Sequence, residues 1–146
     1  MITDFAIAWT KYKGDLQERI AESETHTSWN YDDLLKMLFE TVVNPYLDEQ
    51  CRDTFNLEDI TTIDNGFYSG LLVFVLYRGC FSPCMASDYI YTTISYGSCI
   101  VCDTLKALQA DYDEWEDKLP KERQVKDYMS VCLNLLQNCY CMKEYE

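Results

Sequence analysis

Two short turns hold the residues best suited to chemistry. Cys80-Phe81-Ser82-Pro83-Cys84 places two thiols four positions apart, and Tyr96-Gly97-Ser98-Cys99-Ile100-Val101-Cys102-Asp103 places two more three positions apart. Three readings compete for them. Four thiolates from two turns, Cys80, Cys84, Cys99 and Cys102, would suit tetrahedral zinc, although Cys-x2-Cys twice would match that ion better. Cys99 and Cys102 alone would make a dithiol on a turn into a helix, where the helix dipole favours thiolate. That redox reading needs a βαβ surround, which the pattern lacks. The third reading makes all four small core residues around a glycine turn, because free cysteine is among the most buried residue types. The core reading is preferred, and zinc is the alternative.

The second group is acidic. Asp111, Asp113, Glu114, Glu116 and Asp117 fall within seven residues. Other acid pairs, such as Asp32-Asp33 and Glu58-Asp59, are common at this charge and read as solvated faces. The chain has one histidine, His26, and no Gly-x-Ser-x-Gly turn or phosphate-binding glycine loop. No nucleophile has a base to activate it, so no enzyme and no catalytic residue are expected.

The stretch from about Gly66 to Leu108 resembles a group of small phage and prophage proteins of uncharacterised function. Their pattern is an apolar strand, a Pro-bearing loop, an Asp-Tyr strand start, then Tyr-Gly-Ser-Cys-Ser-Gly-Cys-Asp and a helix. The matching residues are Leu71 to Tyr77, Pro83, Asp88-Tyr89, Tyr96-Gly97-Ser98-Cys99 and Cys102-Asp103-Thr104-Leu105. Ile100-Val101 stands where the group has Ser-Gly. The resemblance covers under a third of the chain and implies a mobile-element origin, with no activity attached.

The elements that must position these residues follow from periodicity. Phe5, Ala8, Trp9, Tyr12, Leu16 and Ile20 repeat at three-four spacing and predict a first helix, with Gly14 as its weak point. A second helix should start near Ser28 or Asn30, carry Leu34, Leu35, Leu38, Phe39, Val42 and Val43 inward, and end or kink at Pro45. Ile60 to Ile63 predicts a strand turning at Asp64-Asn65-Gly66. The apolar run Leu71 to Tyr77 predicts a strand buried on both faces, and Asp88 to Ser95 a third strand. Within that strand Tyr89, Tyr91 and Tyr96 alternate, with a phase break near Ile94. A helix from about Asp103 to Leu119 and another after Pro120, carrying Val125 through Tyr140, complete the order. The expected fold is α+β, one domain over 1–146, with a three-stranded antiparallel meander covered by two N-terminal and two C-terminal helices.

Composition narrows the function. The 146 residues are 48% hydrophobic and 14% aromatic, which suits a packed core, and 25 acidic against 12 basic residues give a net charge of −13. That charge repels phosphates, so neither direct nucleic-acid binding nor an anionic membrane surface is expected. It favours encounter with a basic protein. The start lacks a basic region followed by an apolar run, and Leu71 to Tyr77 is too short to span a bilayer, so a soluble chain of the host cytosol is expected. The expected function is an interaction protein of a phage or mobile element. It would bind a basic host protein, such as a nucleic-acid-binding effector, through the 111–117 acids. Such an inhibitor is similar in kind, not in motif, to anti-CRISPR proteins. A zinc-stabilised or thiol-active domain and a non-inhibitory accessory phage protein are the alternatives. Tyrosine, present twelve times, also favours interfaces, but core and boundary packing is its ordinary role.

Overall fold

The computed structural model describes residues 2–23, 29–66, 70–79, 88–96, 105 and 121–141. Helix α1 (Ile2–Glu22) buries Phe5, Ala8, Leu16 and Ile20, with Trp9 and Tyr12 half-covered beside them. A fully buried large apolar side chain contributes roughly 1.5–3 kcal/mol. The stripe therefore outweighs the roughly 1 kcal/mol that a helical glycine costs at Gly14.

Helix α2 (Tyr31–Leu38) begins at Asn30, whose side chain accepts from the Asp33 N–H at 3.0 Å while Asp33 accepts from the Asn30 N–H at 3.0 Å. This reciprocal capping satisfies two otherwise orphaned amides. Pro45 neither ends nor breaks the helical path. A π turn (Phe39–Val43) precedes it, the Asn44 N–H bonds to the Phe39 carbonyl five residues back, and Pro45 enters the first turn of α3 (Asn44–Glu49). There a missing N–H costs least. The path stops at Cys51, which lies in the left-handed region at φ 54°. The Arg52 N–H reaches the Leu47 carbonyl at 2.9 Å and the Cys51 N–H the Asp48 carbonyl at 3.0 Å, the paired bonds of a Schellman cap.

The Asn44 side chain then clamps the next segment, donating to the Phe55 carbonyl at 3.1 Å and accepting from its N–H at 2.9 Å. Phe55 also bridges to Arg78. This leads into an antiparallel sheet in the order β1-β2-β3-β4, formed by β1 (Thr61–Gly66), β2 (Gly70–Tyr77), β3 (Tyr89–Tyr96) and β4 (Tyr140–Cys141). The first three strands form the expected meander. Asp64-Asn65-Gly66 is not the turn, however. These residues stay in β1, paired with Leu72, Leu71 and Gly70. The Tyr96 hydroxyl bonds to the Asp64 carboxylate and helps hold that end in the sheet. Gly79, with φ +91°, follows β2 in a conformation that L side chains rarely adopt.

Helix α4 (Lys121–Gln137) directly follows Pro120 and buries Val125, Tyr128, Val131, Cys132, Leu135 and Leu136. It stops short of Tyr140. The Leu135 carbonyl, one of the last four that lack a helical partner, accepts from the buried Thr92 hydroxyl at 2.6 Å and from the Cys139 thiol at 3.3 Å. Asn138 donates to the Thr93 carbonyl at 3.2 Å. Tyr140 and Cys141 then pair with Tyr91 and Ile90 as a fourth strand. The open edge of β3 offered backbone partners that further helix could not use.

The described chain is thus α+β, with a four-stranded antiparallel sheet in place of the expected three strands, and three continuous helical stretches. The helix expected at about 103–119 lies outside the described residues, apart from Leu105. That residue is buried, and its N–H donates to the Tyr31 hydroxyl at 3.1 Å. Phe74, Leu76, Ile90 and Thr92 are buried on one face of the sheet, with Leu72, Ile94 and Tyr96 packed against the same core. No described helix is long and apolar enough to cross a membrane.

Candidate interaction surface

The opposite face of the sheet is built differently. Register puts Thr61, Ile63, Leu71, Val73, Val75, Tyr77, Tyr89, Tyr91, Thr93 and Tyr140 on it, because directly opposed residues share a face. Strand β2 is therefore not buried on both faces. Phe74 and Leu76 are buried, whereas Leu71, Val73, Val75 and Tyr77 are only half-covered. A continuous apolar run is the pattern of a doubly covered strand, but here the outer aliphatics are shielded only in part. At the two margins Ile63 is 50% exposed and Tyr140 38%.

Four tyrosines occupy one end of this outer face. Tyr77 and Tyr89 are opposed across β2 and β3, with ring centroids 6.1 Å apart. Tyr91 and Tyr140 are opposed across β3 and β4 and stack at 5.7 Å with 30° between their planes. The phase break expected near Ile94 does not occur: β3 pairs with β2 without interruption from Tyr89 to Tyr96, so plain alternation puts Tyr96 on the core face, away from Tyr89 and Tyr91.

The quartet has an acidic border. The Tyr77 hydroxyl donates to Asp59 Oδ2 at 3.0 Å and accepts from Asn56 Nδ2 at 3.0 Å. The Asn56 side-chain oxygen holds the Glu58 and Asp59 N–H groups at 2.9 and 3.2 Å, fixing a turn that leaves both acids exposed. The bond to Asp59, with some burial, raises the Tyr77 phenol above its ordinary range, so the hydroxyl stays a donor. None of the four strands contains a lysine or arginine.

Other features are less suited to recognition. Arg78 stands on the core side, its guanidinium 5.2 Å from the Phe55 ring centroid and its buried Nε without a hydrogen-bond partner among the described residues. Burial and then the charge of Arg52 lower its pKa, and Arg52 itself pairs with Asp4 at 3.2 Å. An apolar cleft of about 340 Å³ lies between α1 and α4, lined chiefly by Phe5, Trp9, Leu133 and Leu136, with Thr10 and Gln137 at its polar edge. Burial pushes the thiols of Cys132, within α4, and Cys139, just beyond its end, up to about 12, so both are unreactive core residues.

The residues singled out from sequence are not brought into view. Cys80, Cys84, Cys99 and Cys102, and Asp111, Asp113, Glu114, Glu116 and Asp117, all lie outside the described residues. Among the described residues no group of three or more His, Cys, Asp or Glu side chains is arranged to hold a metal ion. Sequence reasoning grouped Tyr89 and Tyr91 with Tyr96, which faces the core, and missed Tyr77 and Tyr140. Alternation within β2 was the available signal for Tyr77, and none pointed to Tyr140 once it was assigned to a helix.

No family model matches the chain, and no curated protein and no solved structure matches it either.

Proposed function

We propose that this chain is a binding protein that engages a basic protein partner, with the outer sheet face as its apolar contact and the surrounding carboxylates as its steering charge. The observation that carries the reading is a sheet face with four tyrosines and an exposed Ile63 at its far margin, in a chain of net charge −13. Tyrosine supplies large contact area at low entropic cost, and its hydroxyl tolerates both wet and dry surroundings. The net charge disfavours association between two copies of this chain and favours a cationic surface. A nucleic-acid-binding effector is the partner class that presents such a surface, and occupation of its channel would inhibit it. A phage or mobile-element inhibitor acting in the host cytosol is the biological setting this implies. The acids at Asp111, Asp113, Glu114, Glu116 and Asp117 would add to the same field.

The test is displacement of a labelled oligonucleotide from a basic nucleic-acid-binding protein, followed by fluorescence anisotropy over a salt series. Displacement should weaken as salt rises, because the Debye length falls to about 3 Å at 1 M. Asp113→Lys with Glu116→Lys, and separately Tyr91→Ala, should each reduce it. Displacement indifferent to salt and to both sets of variants would overturn the reading.

A further inference from the structure

We infer that the tyrosine quartet selects arginine over lysine, so that the partner surface it fits is one bearing exposed arginines. The inference rests on the proposed basic partner and goes on to name the side chain that this face recognises. Tyr77, Tyr89, Tyr91 and Tyr140 stand together at one end of the outer face, half-covered or exposed, with no cation on any of the four strands. Each ring carries a negative π face, which attracts a cation placed over it. Guanidinium meets this face better than ammonium does. It is planar, more weakly hydrated, and able to stack while its edge still donates hydrogen bonds.

The acids at the border complete the chemistry. Asp59 already accepts from the Tyr77 hydroxyl through Oδ2. A carboxylate has about four lone-pair sites, so Asp59 retains acceptor capacity for the edge of a guanidinium lying over the rings. Glu58 is exposed beside it, in the turn that Asn56 holds. Lysine would gain the charge attraction of these acids but would give up hydration without gaining planar stacking. The geometry therefore separates general attraction to positive charge, which any acidic surface supplies, from a preference between two equally charged side chains.

The experiment uses hexa-arginine and hexalysine peptides of equal length and charge, titrated into the full chain at low salt by isothermal calorimetry. Arginine peptide should bind more tightly, by at most about two- to five-fold for each stacked guanidinium, the full cation–π gain at an exposed site. The preference should disappear in Tyr140→Leu and in Tyr91→Leu, which keep apolar bulk but remove the π face, and should persist in Tyr140→Phe, which keeps the ring. Circular dichroism of each variant confirms that it is folded, and Tyr140→Leu, at an exposed margin, is the variant least coupled to the core. Equal affinity for the two peptides would overturn arginine selection and leave the basic-partner reading standing. An arginine preference unchanged in both leucine variants would overturn this site. Failure of both peptides to bind at low salt would overturn the inference together with the reading beneath it.

Discussion

Replacing Thr92 by valine tests how the sheet holds the last helix. Thr92 is fully buried, and its hydroxyl donates at 2.6 Å to the Leu135 carbonyl near the C-terminal end of α4. Valine keeps the shape and removes the donor. The lost hydrogen bond accounts for about 0.5–1.5 kcal/mol, and a buried carbonyl left wholly unpaired would add about 1–3 kcal/mol. Two effects reduce that sum. The Cys139 thiol still reaches the same oxygen at 3.3 Å, and a buried methyl returns up to about 0.8 kcal/mol. The expected net loss is about 1–2 kcal/mol, which lowers the melting temperature by about 3–8 °C in a domain of this size. Urea unfolding should show a lower midpoint at unchanged slope, since the surface exposed on unfolding is the same. Cys139→Ala supplies the second arm of a cycle. With both donors gone the carbonyl is unpaired, so the double variant should exceed the sum of the two single losses by at least about 0.5 kcal/mol. A neutral Thr92→Val, or strict additivity, would refute the idea that two side chains share the capping of that carbonyl.

Two backbone substitutions should stabilise the chain, read by thermal melting. In Gly14→Ala the added Cβ meets nothing within 4 Å, so an exposed helical glycine is replaced for a gain of about 0.5–1 kcal/mol. Cys51→Gly relieves a non-glycine residue at φ 54° in a Schellman cap and should gain about the same, whereas Cys51→Val should lose stability. The Tyr12–Glu49 pair should make stability pH-dependent at both ends of the scale. The hydrogen bond to Glu49 raises the Tyr12 phenol from 10.0 to about 12, so its contribution is complete below pH 10 and lost as pH rises towards 12. Hydrogen bonds from Lys11 and Tyr12 lower Glu49 from 4.5, so its contribution is present above that value and lost as pH falls below it. Tyr12→Phe should flatten the alkaline limb in a comparison of melting temperature against pH. For Cys80, Cys84, Cys99 and Cys102 the expected outcome is protein purified without stoichiometric zinc and a melting temperature unchanged by chelator. One equivalent of zinc, with a sharp fall on chelation, would assign those four thiols to a metal.

Local pattern was enough for the helices that carry a regular stripe. In α1 the three-four spacing from Phe5 to Ile20 specifies both the element and its buried face, because one periodicity and one core satisfy it. The start of α2 was legible to within two residues, as Ser28 or Asn30, and the structure selects Asn30, because its cap contact with Asp33 lies three residues along. The meander of three strands also follows from element order, whereas the phase break expected near Ile94 is absent, because β3 keeps strict alternation and turns Tyr96 inward. Pro45 shows where local rules stop. A proline predicts a helix end or kink, but burial of Phe39, Val42 and Val43 on one side and Tyr46 and Leu47 on the other favours a single path, and the π turn reconciles the two. The fourth strand shows the same limit at longer range. Tyr140 and Cys141 continue the apolar spacing of α4, yet β3 has an open edge and Thr92 meets the helix at Leu135, so backbone pairing wins. The tyrosine quartet could not be read from sequence for that reason, because Tyr140 joins Tyr91 only once β4 exists. Intrinsic preference and spacing act within one element, whereas which residues share a surface depends on pairing between strands about fifty positions apart, and only the tertiary structure decides that.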